Sequence, residues 1–128
     1  MAMKNENGFS LVSVLVAITM FSAGVLALSR TGAEVVRVHT QVSARSTAVG
    51  IARAHMEFLR AQDPTDIQSE SAVTVNGEGQ PDAGGHFTRM VNVQDLSQNL
   101  KEIRVLVSYP RSTTPIELMT YAFFSGGT

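Results

Sequence analysis

From residue 9 to residue 28 the chain is apolar or uncharged at every position, and beyond residue 32 apolar side chains recur in steps of three and four. At about 1.5 Å per residue, the first run makes a helix on the order of 30 Å long, the thickness of a bilayer's hydrocarbon core. This predicts a helix that lives in a membrane or in equally apolar surroundings. Further on, Val35, Val38, Val42, Arg45, Val49, Ala52, Met56 and Leu59 form one stripe, apolar at all but one position. Arg30, Glu34, Arg37, Gln41, Arg53, Glu57 and Arg60 occupy the other faces, so the helix is expected to continue as an amphipathic rod covered on one side. Gly24, Gly32 and Gly50 each weaken a helix by up to about 1 kcal/mol relative to alanine, which predicts bends or local melting there. Pro64 predicts a stop near Ala61.

After Pro64 the period shortens. Residues 71–75 predict a short strand, followed by the tight-turn sequence Asn76-Gly77-Glu78-Gly79 and a loop over residues 80–85. Three stronger strands are expected at residues 86–93, 103–109 and 116–124, separated by residues 95–99 and by a proline-bracketed turn at 110–115. Ile103, Val105, Val107 and Tyr109 alternate with Arg104, Leu106 and Ser108, the pattern of a strand buried more deeply on one face. Short connections between sequential strands predict an antiparallel meander. The helix stripe and the inner sheet face each need a cover, so the expected fold class is α+β, with residues 32–61 packed on three or four antiparallel strands. Residues 125–128 are expected to fray.

The segment Gly8-Phe9-Ser10-Leu11-Val12-Ser13-Val14-Leu15-Val16-Ala17 resembles the amino terminus of type IV pilin-like proteins. That consensus reads roughly G-F-[ST]-L-[IV]-E-V-[LM]-[VI]-A, and this chain departs from it at one position. The resemblance implies that a prepilin peptidase in the membrane cuts between Gly8 and Phe9 and methylates the new amine of Phe9. It also implies a helix-plus-sheet pilin fold, with residues 1–8 as leader, 9–28 as the membrane and filament-core half of the helix, and 29–128 as the extracytoplasmic globular domain. The departure is Ser13, where the family usually carries a glutamate thought to pair with a neighbouring subunit's terminal amine. A serine offers no counter-charge; its hydroxyl can bond back to the carbonyl of Phe9. Two explanations are open: drift in a low-copy subunit, or a place at a filament end, as for the tip subunit of type II secretion pseudopili, which lacks the same glutamate. Ala52, Met56, Glu57, Leu59 and Arg60 fit a second, looser pattern, A-x-x-x-M-E-x-L-R, common late in the first helix of PilV-type minor pilins and I-class pseudopilins.

The function implied by this resemblance is that of a minor type IV pilin, which primes or modifies a filament used in adhesion or twitching. The alternatives are a minor pseudopilin of a type II secretion system and a membrane-tethered binding domain that never polymerises. The implied partners are the peptidase, other major and minor pilins or pseudopilins, the inner-membrane assembly platform and the membrane itself. Its location would be the inner membrane, amino terminus in the cytoplasm, and later the pilus or pseudopilus. Counting basic residues points the other way, because Arg30, Arg37 and Arg45 follow the apolar run and only Lys4 precedes it. A signal peptide, with Ala23-Gly24 and Ala27 as its small residues, and an uncleaved anchor are the other readings of the run.

With 128 residues, the chain has room for one small domain beyond the apolar run. A net charge of −1 with 16% charged residues argues against capture of nucleic acid, which needs a basic face. The absence of cysteine excludes disulfides, thiolate metal sites and a lipoprotein anchor. His39, His55 and His86 make no ligand motif with one another or with a carboxylate, and Asp63, Asp66 and Glu70 lack the spacing of a calcium loop. Gly77-Glu78-Gly79 is no phosphate loop, since neither a lysine nor a strand-to-helix crossover follows. No serine sits in a nucleophile elbow, so the expectation is a chain without catalytic residues, metal or cofactor. Gly8 and Phe9 are expected to be substrate positions for another enzyme.

Overall fold

The computed structural model describes residues 10–125, so Gly8, Phe9 and the last three residues of the expected tail lie outside it. Five elements follow in order: helix α1 (Leu11–Arg60) and strands β1 (Glu70–Val75), β2 (Phe87–Ser97), β3 (Leu100–Ser108) and β4 (Ile116–Phe123). Gly24, Gly32 and Gly50 all lie inside α1, so the expected local melting is not found; helical residues on both sides of each glycine carry the hydrogen-bond ladder through it. Two compact units divide the chain between His39 and Thr40.

Every described residue of the first unit is exposed, including Leu11, Phe21 and Leu28 at 77, 75 and 73%. Three of its hydroxyls bond back to the helix. Thr19 donates to the Leu15 carbonyl at 2.7 Å, Ser29 to that of Val25 at 2.8 Å, and Thr31 to that of Ala27 at 3.1 Å. These three hydroxyls therefore ask little hydrogen bonding of their surroundings.

The second unit packs the end of α1 on a four-stranded antiparallel meander in the order β1-β2-β3-β4, as the short connections predict. Ala48, Ile51, Ala52, Met56 and Leu59 sit on the core side of the helix, one or two per turn, against Val75, Val91, Ile103, Val105 and Val107. Ala48 and Ala52 are fully buried, and their small side chains let the helix lie close to the sheet. The expected cover is therefore shorter than residues 32–61. Val35, Val38 and Val42 are 61, 49 and 60% exposed, and Arg45 is exposed as well. The sheet reaches only the last turns of the helix.

Arg60 ends α1, close to the expected stop. Asp63 precedes a proline and is thereby steered out of helical geometry, and its Oδ1 accepts from the Thr65 amide at 2.9 Å and hydroxyl at 2.6 Å. Those two bonds hold the exposed Asp63 carboxyl below its ordinary pKa.

Strands β2 and β3 are both longer than the alternation predicts and meet across Gln98-Asn99. Residues 95–99 read as a connection because they are polar. In the fold Gln94 faces Glu102, Asp95 faces Lys101 and Ser97 faces Leu100, so the exposed, mostly polar end of β2 pairs with a half-buried to buried arm of β3. Strand β1 begins one residue earlier than expected, with a register irregularity between Glu70 and Val73.

The turn after β1 is built by Asn76. Its Oδ1 accepts the amides of Glu78 at 3.1 Å and Gln80 at 2.9 Å, while Gly79 takes a φ of 81°, a conformation that favours glycine. The chain then folds back along β1, with Pro81 bridging Val75 and the Asp82 amide donating to the Thr74 carbonyl at 2.9 Å.

Candidate functional site, the amino-terminal segment

Ser10 stands just before the first helical residue and acts as its cap. Its Oγ accepts the Ser13 amide at 3.2 Å and lies 3.0 Å from the Ser13 hydroxyl, while its carbonyl accepts the Val14 amide at 3.1 Å. Ser13 thus occupies the third helical position, the place where a capping box puts a glutamate reaching back to the cap residue. Here the pair of hydroxyls closes locally. The carbonyl of Phe9, the expected acceptor for the Ser13 hydroxyl, lies outside the described residues; the contact present is to Ser10.

Beyond the cap, α1 contains an 18-residue window of mean hydropathy 2.4, none of it buried within the chain. By length and composition this segment can cross a membrane. The first charges after it are Arg30 and then the Glu34–Arg37 pair at 2.8 Å, both side chains well exposed. A pair of that kind contributes a few tenths of a kcal/mol at most. The same holds for Glu57 and Arg60, 3.6 Å apart.

The sequence reading missed a second cluster, in the folded domain. Arg89 of β2 is buried; its Nη2 donates to Glu70 Oε1 at 3.0 Å and its Nη1 to the Gly79 carbonyl at 2.9 Å. His55 of α1 approaches the other oxygen of Glu70 at 3.6 Å and stacks on Phe58, ring centres 5.8 Å apart. His55, Phe58, Gly79 and Arg89 border a shallow cavity of about 310 Å³, shared with Ile51 and Pro81. His55 Nε2 and Arg89 Nε are buried without a hydrogen-bond partner among the described residues. The cluster joins residues 15 and 19 positions apart on three different elements, so no local motif announces it. It holds no nucleophile, and among the described residues no three His, Asp or Glu side chains converge to hold a metal.

Burial, and then the charge of Arg89, lower the His55 pKa below 6.5, with Glu70 opposing them. The unfolded chain therefore binds the proton more readily than the folded one. The stabilising contribution is complete above pH 6.5 and is lost as pH falls through the folded value. The melting temperature should drop more steeply between pH 6.5 and roughly pH 5 in the native chain than in His55→Gln, because ordinary carboxylates titrate lower. Equal slopes in the two proteins would contradict this assignment.

Residues 3–29 match the family model of the prokaryotic N-terminal methylation motif, which covers 27 of the 128 residues. No curated protein and no solved structure matches the chain. The motif implies processing by a prepilin peptidase, and the apolar helix behind it is consistent with anchoring in an inner membrane. The chain thus joins a prokaryotic N-terminal methylation motif to a pilin-like α+β fold, a long helix packed on a four-stranded antiparallel sheet.

Proposed function

We propose that this protein is a minor type IV pilin, held in the inner membrane by residues 9–28 and drawn into a filament once the leader, residues 1–8, has been cut off. One observation carries the reading: the methylation motif at residues 3–29 runs directly into a helix with no ionisable residue before Arg30. Cleavage between Gly8 and Phe9 would remove the charges of Lys4 and Glu6 from the end of that helix. The segment could then leave lipid for a bundle of similar helices, staying in apolar surroundings throughout. Pilin-type chains serve as structural proteins, and this chain would act through packing and surface contacts.

Ser13 supports a low-copy or end position. A charged amine on Phe9 needs a partner when it is buried, and this subunit brings no carboxylate at residue 13 for a neighbour's amine. Its capping bonds with Ser10 make the substitution inexpensive for the helix itself.

Gly8→Ala tests the reading. The variant should accumulate as uncleaved precursor in the membrane and disappear from filaments sheared off the cell surface, while the native chain is found there with major pilin. Cleaved Gly8→Ala protein starting at Phe9 would contradict the processing. Native chain that copurifies with secretion pseudopilins and never with pilins would assign it to a type II secretion system. An intact leader with no filament association would leave a tethered binding domain.

A further inference from the structure

We propose that the open edge of β4 accepts an extended strand from a different protein, one whose side chains alternate apolar and acidic. The two edges of the sheet are treated differently. At β1, the strand is six residues long and irregular, and the returning segment pairs with its last two residues, placing Pro81 opposite Val75. That edge is closed to further pairing by a short strand, a register break and a residue without an amide N–H. Strand β4 has none of these guards. It runs eight residues in unbroken register with β3, from Leu100 opposite Phe123 to Val107 opposite Ile116, and nothing among the described residues pairs with its outer side.

The phase of its hydrogen bonds follows from one contact. Phe124 donates its amide to the Asn99 carbonyl at 3.0 Å, so in an antiparallel ladder the alternate residues Ala122, Thr120 and Leu118 also face β3. The N–H and C=O groups of Glu117, Met119, Tyr121 and Phe123 consequently point outward. Of these, Met119, Tyr121 and Phe123 are 50, 54 and 73% exposed, an apolar row along an unpaired edge.

Charge decides the partner. On the helix side of β4 a crevice of about 190 Å³ is bordered by Arg53, Glu57 and Arg60. Arg60 donates to Thr120 Oγ1 at 3.0 Å and lies 3.6 Å from Glu57, whereas Arg53 has no ion pair among the described residues. This rim is net positive. A strand added to β4 would set every second side chain beside Met119, Tyr121 and Phe123, and the others beside the two arginines. Apolar residues suit the first positions and acidic residues the second. A second copy of β4 would instead bring its own Arg53 and Arg60 to the same rim, where like charges oppose pairing. The inference does not depend on leader cleavage.

The full-length chain in detergent, titrated with a fluorescent peptide alternating valine and glutamate, tests this by anisotropy. It should bind on the order of tenfold more tightly than the same peptide with lysine for glutamate, and should slow amide exchange across residues 117–123. Arg53→Glu, an exposed change, should reverse the preference. Tyr121→Pro removes an outward amide and no bond to β3, so it should abolish binding of both peptides while the melting temperature shows the fold retained. Equal affinity for both peptides, no binding of either, or binding without slowed exchange at β4 would overturn the proposal. So would protection of β4 that rises with protein concentration in the absence of peptide, which would give the edge to a second copy.

Discussion

Gly85→Ala should destabilise the folded domain by about 3 kcal/mol, through backbone crowding alone. A Cβ at residue 85 would stand 2.1 Å from the Val75 carbonyl oxygen and 2.4 Å from its carbon. Neither atom belongs to a flexible side chain. Val75 is fully buried at the end of β1, and residue 85 is tied by its amide to the Asp82 carbonyl at 3.0 Å. The methyl group can be accommodated only by lifting the returning segment from β1, which also removes the bond from the Asp82 amide to Thr74. For a unit of this size the melting temperature should fall by about 10–20 °C. Gly84→Ala is the control, because its nearest contact would be an ordinary 3.5 Å to Asp82 Oδ1. Thermal unfolding that leaves Gly85→Ala within about 3 °C of the native chain would contradict the packing described.

The second large effect is expected in the apolar helix. Ile18→Lys places a charge near the midpoint of the uncharged run, at a cost of about 3 kcal/mol in a bilayer. Each apolar residue there contributes only about 0.5 kcal/mol to insertion, so one lysine offsets roughly six of them. The three serines and Gly24 in the run already weaken it. The variant should therefore shift from the carbonate-resistant membrane fraction to the soluble or aggregated fraction. Thr19→Val should remain in the membrane, since it removes a hydroxyl already bonded to Leu15 and adds apolar surface. An Ile18→Lys chain that stays as firmly embedded as the native one would show that this segment is not held by lipid.

Features with a local cause could be read from the sequence. The helix stop follows from Asp63-Pro64, the turn from Asn76 and the glycines after it, and the buried face of β3 from Ile103, Val105 and Val107. What the sequence concealed depends on distant partners. The hairpin tip looks like a loop until the register of β2 and β3 sets Asp95 opposite Lys101. Val35, Val38 and Val42 continue the apolar stripe with one interruption at Arg45, and the extent of the sheet decides that they stay uncovered. The grouping of His55, Glu70 and Arg89 arises where a helix and two strands converge, and the open edge of β4 becomes visible only once β1 is seen to be closed. For the processing segment the opposite holds. Gly8 and Phe9 are legible as a motif, and the fold contributes the serine cap just behind them.

In the proposed function, that cap and the uncharged helix behind it gain their meaning from removal of the leader and methylation of the new terminal amine. Intact-mass and amino-terminal fragment analysis of the protein extracted from native membranes tests it most directly. The account expects a polypeptide that begins at Phe9 and carries one added methyl group on its terminal amine. A chain that still bears residues 1–8, or one cut beyond the apolar run, would contradict it.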